Sequence, residues 1–383
     1  MPLQSTAETP RFAAYPTAMK WLRSLATTAS SLFKSMGCLA VIGSCLSAPL
    51  HAQTVTSTIG VGSNPNTVAF SPGGSRAYVP NFGDDTVSVI DTATDTVIDT
   101  ITVIGGPLAI GLLTDGSRAY VVNRNDGAVS VIDTATNTIV HTIVVGAQNA
   151  FSIAISPTVG KAYVPSYDDG ILTVIDAALG NVIGTINLSR GLRDVAFSPD
   201  GTRAYVINDR DNTVVVIDTA TDTVVGSIAA ISQPVRVAFS RDGLKAYVTN
   251  VGGTVTVIGT ATDTVIGTFV VGTDPKGVSF SPDGTRAYVV NHGDATFSVI
   301  DTAADTVIST IPVGGGPVGV AFSPNGLKAY VTNTITNNVS VISFAPVVPP
   351  TSAAAPIPTL SEWAMILMAS LMGLLACVRL RRY

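Results

Sequence analysis

The chain has 383 residues, of which 46% are hydrophobic and 12% charged, with a formal net charge of −5. That charged share is about half the usual level for a soluble domain, and the balance excludes an intrinsically disordered chain, which needs low hydrophobicity and high charge. Two Glu and six Lys against twenty-four Asp, with abundant Val, Thr and Gly, exclude a mainly helical protein, and three Cys confined to the ends (Cys38, Cys45, Cys377) exclude a central disulfide framework.

The first 52 residues read as a secretory signal peptide. Arg11, Lys20, Arg23 and Lys34 precede an uncharged run from Ser35 to Leu50, and Leu50-His51-Ala52-Gln53 supplies a small residue for cleavage after Ala52. The basic stretch is long, and Met19-Lys20-Trp21 is an alternative true start. An N-terminal anchor is the competing reading, against which the apolar run is short for a bilayer. A lipobox around Cys45 is matched only loosely.

Residues 53–344 consist of one unit repeated seven times. The tyrosines of Ala-Tyr-Val recur at Tyr78, Tyr120, Tyr163, Tyr205, Tyr247, Tyr288 and Tyr330, spaced by 42, 43, 42, 42, 41 and 42 residues. The fourth unit represents all of them. Val195–Ser198 is an apolar strand and Pro199-Asp200-Gly201 a tight turn. Arg203–Ile207 is a second strand, followed by a polar loop to Asn212 and a third strand over Thr213–Ile217. Asp218-Thr219-Ala220-Thr221-Asp222 turns the chain into an outer strand, Thr223–Ile228. Four strands in about 42 residues is the layout of a β-propeller blade, so the expected fold is all-β and seven-bladed. Thr54–Gly62 copies a fourth strand with no three before it, and the last unit stops after three. The N-terminal strand is therefore expected to complete the last blade and remove an open sheet edge.

Residues 345–356 are rich in Pro and Ala and read as an extended tether. Ile357-Pro358-Thr359-Leu360-Ser361-Glu362-Trp363 follows, and no residue from Trp363 to Val378 is charged. These 16 residues span about 24 Å as a helix, short for a bilayer of about 30 Å but extended by Leu360 and Leu380. Arg379, Arg381 and Arg382 then hold this inner-membrane helix with the propeller outside the cytoplasm.

Two family resemblances follow. Tyr247-Val248-Thr249-Asn250 and Tyr330-Val331-Thr332-Asn333, with Ser-Pro-Asp-Gly turns at Ser198–Gly201 and Ser281–Gly284, resemble the YVTN family of β-propellers. Ile357, Pro358, Thr359, Leu360 and Trp363, followed by an apolar helix and arginines, resemble the IPTL-CTERM sorting signal over residues 357–383, with Ala364 where glycine is usual. The second resemblance implies handling by the secretion machinery and signal peptidase, then by an exosortase-type transpeptidase, with the protein passing through an inner-membrane-anchored stage to the cell surface or beyond. A plain C-terminal anchor is the alternative.

The propeller alone holds 24 Asp against 14 Lys and Arg, about −10, which excludes nucleic acid as a partner. Asp91, Asp133, Asp218 and Asp301 head repeated turns and are expected to accept backbone N–H groups. The opposite face bears the loops that vary. The loops entering each blade supply Asn64, Asn149, Arg190, Arg193, Arg236 and Lys276, and the second-to-third strand loops supply Asp168, Asp209 and His292. The cations fall in consecutive blades, so a basic sector beside an acidic one could dock an anion or a sugar acid. Calcium is a weaker option: Asp168-Asp169 and Asp209-Arg210-Asp211-Asn212 offer hard oxygens, yet no EF-hand-type loop and no Glu accompany them. No metal ligand set and no catalytic constellation is visible, because residues 53–344 contain no Cys, Glu or Trp and only His141 and His292. Resemblance to the scaffold of lactonases and quinone-dependent dehydrogenases keeps an enzyme in view. The expected function is an exported envelope or matrix module that binds a polysaccharide or protein, with a purely structural surface protein as a further alternative.

Overall fold

The computed structural model describes residues 53–146, 149–229 and 231–344. The signal peptide, tether, sorting segment and membrane helix expected from the sequence lie outside these residues. Among the described residues no helix is long and apolar enough to cross a membrane.

Seven four-stranded antiparallel sheets follow one another in chain order, which makes a seven-bladed propeller. Blades 1 to 6 span residues 69–102, 107–144, 154–187, 192–228, 234–270 and 275–312. Blade 7 joins Pro317–Phe322, Lys328–Asn333 and Asn338–Ser343 to the N-terminal strand Val55–Gly60. Ser57 faces Val341 and Ile59 faces Val339, so the ring closes as the missing-strand pattern requires. Second and third strands are buried almost throughout, because each is packed on both faces. The outer strands bury little beyond one inward position, such as Ile101, Ile143 and Ile186. In the fourth blade the first strand begins at Leu192, three residues before the strand expected there, with a bulge between Leu192 and Asp194.

Neighbouring blades are joined by a latch built from the repeat tyrosine. Tyr330 Oη donates to Asp95 Oδ1 (2.5 Å) in the next blade, and Lys328 Nζ lies 2.8 Å from the same carboxylate. Tyr163 meets Asp222 at 2.5 Å, with Lys161 at 2.8 Å, while Tyr205 and Tyr247 donate to Asp263 and Asp305. Each accepting Asp closes an Asp-Thr-Ala-Thr-Asp-type turn at positive φ, a conformation that Asp and Asn tolerate better than most residues. Where Gly180 closes the turn no carboxylate is available, and Tyr120 donates to the Ala177 carbonyl instead (2.6 Å). Blade 7 has no such turn because its outer strand comes from the N-terminus. Gln53 fills the place, its Nε2 donating to Tyr288 Oη at 3.3 Å. Tyr163, Tyr205, Tyr247, Tyr288 and Tyr330 also pack against a phenylalanine of the next blade, as Tyr330 does on Phe70 with centroids 4.7 Å apart. Such ring pairs contribute about 0.5–1.5 kcal/mol beyond their buried area.

Within a blade the turns are self-capping. Asp91 Oδ1 accepts the N–H groups of Ala93 and Thr94, both at 2.9 Å, and Asp133, Asp218 and Asp301 repeat the pattern. Thr219 Oγ1 donates to the Gly201 carbonyl and thereby ties one turn to the other.

Candidate functional site

The loop-bearing face is organised by one backbone bond made in every blade. The amides of Phe82, Arg124, Tyr167, Asp209, Val251, His292 and Thr334 donate to the carbonyls of Asn64, Gly106, Asn149, Gly191, Gln233, Asp274 and Gly316, at 2.9–3.4 Å. All seven acceptors have positive φ, which explains why Gly, Asn, Asp and Gln occupy that position. Each acceptor is followed by Pro, Ala or Leu, and then by a side chain delivered to the propeller axis. Those side chains are Asn66, Leu108, Phe151, Arg193, Val235, Lys276 and Val318, one from each blade.

All seven line a central cavity of about 240 Å³, together with Asn64, Phe82, Arg124, Arg236 and His292. The cavity is therefore a ring of single repeat positions, topped by the residues that follow the repeat asparagine. Of the residues singled out in the sequence, it brings together Asn64, Arg193, Arg236, Lys276 and His292. Asn149 and Asp209 stand behind the lining as partners of Arg124 and Arg193, and Asp168 stands one step further out, bound to Asn149 and Arg210. Arg190 remains exposed and outside the lining, because it lies ahead of the Gly191 turn (φ 100°) that brings the chain inward.

Acids and bases alternate here; they do not form separate sectors. Arg193 Nη1 lies 3.0 Å from Asp209, whose other oxygen is buried without a partner among the described residues. Arg236 Nη1 lies 3.1 Å from Asp194, a residue 5% exposed that also accepts the Val237 N–H at 2.9 Å. Lys276 Nζ lies 2.6 Å from Asp274, which His292 Nδ1 approaches at 3.3 Å. Arg124 differs: its Nε donates to the neutral Asn149 Oδ1 (3.0 Å), its guanidinium sits 4.4 Å over the Phe151 ring, and it makes no ion pair among the described residues. Asn149 passes its own amide N–H to Asp168, which is paired with Arg210 at 3.5 Å. An adjoining groove of about 270 Å³ shares Arg193 and is walled by Tyr167 and Arg210. At the rim, Thr273 holds the Asp294 carboxyl below its ordinary range, first through its hydroxyl and then through its N–H. No group of three or more His, Cys, Asp or Glu side chains is arranged to hold a metal among the described residues. Asp211, offered above as a calcium ligand, accepts from Ser189 and Asn208.

Sequence reasoning missed Phe82, Arg124, Phe151 and Arg210. The signal was present: Phe82 and Arg124 follow the repeat asparagine directly, as His292 does.

Residues 355–382 match the IPTL-CTERM motif. The chain ends in an IPTL-CTERM motif. A motif of this kind implies export and processing by an exosortase-type membrane enzyme. Among solved structures, a chain of Kuenenia stuttgartiensis hydrazine synthase is similar at 26% identity and TM-score 0.68, over 74% of this chain and 96% of that one. The Myceliophteria thermophila Cps50 (Swd1) β-propeller domain is similar at 12% identity and TM-score 0.65, over 76% of this chain and 100% of that one. A chain of the mitotic checkpoint complex is similar at 16% identity and TM-score 0.68, over 76% and 92%. The last two share the fold alone. No curated protein matches the chain. The propeller and the terminal motif are thus supported from outside the sequence, while the YVTN name rests on the tetrapeptides quoted above.

Proposed function

We propose that this exported propeller is a binding module of the cell envelope or extracellular matrix, delivered by its IPTL-CTERM segment and engaging its ligand through the loop-bearing face. One observation carries the reading: seven nearly uniform blades diverge in chemistry at the single ring position that lines the axial cavity. A scaffold under purely structural demands has no reason to place Asn, Leu, Phe, Arg, Val, Lys and Val at one equivalent site. Sites on a fold, and not the fold itself, carry function. The test is capture of envelope polysaccharide or protein by the full-length chain in detergent. Retention by the wild type and loss on changing lining residues is the expected result. No retained envelope component would overturn the reading.

The likeness to a hydrazine synthase chain favours a second reading, a periplasmic propeller enzyme. Against it stands the inventory: His141 is exposed on an outer strand, and His292 is the one other histidine of residues 53–344. Assays on lactones and sugar alcohols, with and without a quinone and Ca²⁺, separate the two readings, and robust turnover would favour the enzyme.

A further inference from the structure

Resting on the binding-module reading, we infer that the axial cavity takes a single monoanionic sugar, a hexuronic acid at the end of an acidic polysaccharide, with Arg124 holding its carboxylate.

Charge decides the first part. Four permanent cations line the cavity: Arg124, Arg193, Arg236 and Lys276. Three are already matched by Asp209, Asp194 and Asp274. Arg210 and Asp168 cancel each other one layer out. Arg124 is left with no carboxylate paired to it among the described residues, inside a body that carries about −10. A ligand with one negative charge completes the set, whereas a phosphate monoester brings a second charge with no cation to receive it. Arg124 is also held in place before any ligand arrives. Stacking on Phe151 and the Nε bond to Asn149 fix its plane, and both terminal nitrogens remain without partners among the described residues. That edge is the fork that matches a carboxylate with two parallel hydrogen bonds.

Size and lining decide the second part. A volume of about 240 Å³ equals roughly eight waters at their liquid share of about 30 Å³ each, a scale that suits one sugar ring. Phe82, Leu108, Phe151 and Val235 give the apolar wall on which a pyranose lays its C–H face. Asn64 and Asn66 supply amides for its hydroxyls. An aromatic acid would satisfy the apolar wall and leave those amides idle.

The alternation of charges also selects the variant for the test. Changing Arg193 or Arg236 strands a carboxylate that is largely buried and damages the fold. Changing Arg124 strands nothing charged. Titration calorimetry of the full-length chain in detergent, at low ionic strength, would compare D-glucuronate, D-glucose, glucose 6-phosphate and benzoate. The expected result is binding of glucuronate at least tenfold tighter than each of the others. R124Q should weaken glucuronate at least tenfold with an unchanged melting temperature, and R124K, which keeps the charge but loses the fork, should fall between. If R124Q does not fold, R124K against wild type carries the comparison. Equal affinity for glucose and glucuronate, tighter binding of benzoate or phosphate, or no effect of the Arg124 variants would overturn the inference. Envelope capture by wild type that persists without uronate binding would sink the sugar-acid assignment alone, whereas loss of both would sink the binding reading too.

Discussion

Tyr330→Phe isolates the latch between the last blade and the first, across the junction where the ring closes. The hydroxyl donates to Asp95 at 2.5 Å, and the tyrosine is fully buried. A hydrogen bond to a charged partner contributes about 1.5–3 kcal/mol. Lys328 remains on the same carboxylate in the variant, so Asp95 is not stranded and the lower half of that range applies, about 2 kcal/mol. With an unfolding entropy of about 2.1 cal/mol/K per residue, a propeller of this length should melt about 3 °C lower. The pH dependence is the sharper check. Burial, and then Asp95, push the Tyr330 phenol above its ordinary range. An unfolded tyrosine ionises near about pH 10. Because the folded value is the higher one, the contribution is whole below about pH 10 and is lost as the pH rises beyond it, by up to about 1.4 kcal/mol per pH unit. Phenylalanine has no such loss at this site. Urea unfolding followed by circular dichroism should show wild type ahead by about 2 kcal/mol at pH 8 and the gap mostly closed by about pH 11. A gap absent at pH 8, or constant to pH 11, would refute the latch as a source of stability.

Three further outcomes are expected. Ile59→Ala in the closing strand empties a site 4% exposed among Val68, Val79 and Val341, and should cost about 2–5 kcal/mol in urea unfolding, while Val97→Ala on an outer strand should stay within about 0.5 kcal/mol. The carboxyls of Asp91, Asp133 and Asp218 are held below their ordinary range, first by the N–H groups of Thr94, Thr136 and Thr221. Lowered folded values mean stability present above about pH 4 and lost as the pH falls below it, so the urea midpoint should drop between pH 5 and 2, and an invariant midpoint would contradict this. Deleting residues 357–383 should shift the protein out of the envelope membrane fraction, and an unchanged distribution on fractionation would remove the sorting role from that segment.

The blades were legible because their determinants are local. A tyrosine every 42 residues, a Pro-Asp-Gly turn and an Asp-headed turn each specify a few neighbouring residues, and the observed strands of the fourth blade fall within three residues of those read from the chain. The closing strand was legible for a different reason: an unpaired strand at one end and a three-stranded unit at the other leave one solution that removes both edges. The latches were not legible. Tyr163 and Asp222 stand 59 positions apart, about one and a half repeats. That interval matches no period of the chain, and it acquires meaning only when the second strand of one blade is known to lie beside the outward turn of the next. The asparagine of the repeat likewise reads as loop composition, yet Asn81 is fully buried and donates to Ser88 at 2.9 Å, pinning the loop beside the cavity.

The axial site shows why activity is harder to read than architecture in a repeat protein. Its lining is a single column of the repeat, and neighbouring members of that column lie about 42 residues apart in the chain. Along the sequence Arg193 sits beside Arg190, and both look like candidates. In the ring Arg193 faces Phe151 across a 5.9 Å approach and is answered by Asp209, while Arg190 is left outside. Sequence proximity therefore overstated Arg190 and hid Arg124, whose neighbours along the chain are asparagines. What distinguishes Arg124 is a deficit, since every other permanent cation of the lining has its carboxylate. A deficit of that kind is a property of the assembled ring. It follows that specificity in this scaffold can change through one residue per blade without disturbing strands, turns or latches. The variants that alter ligand choice at the least cost in stability should lie at Asn66 and Val318, which are only partly buried and whose side chains enter no ion pair in the described structure.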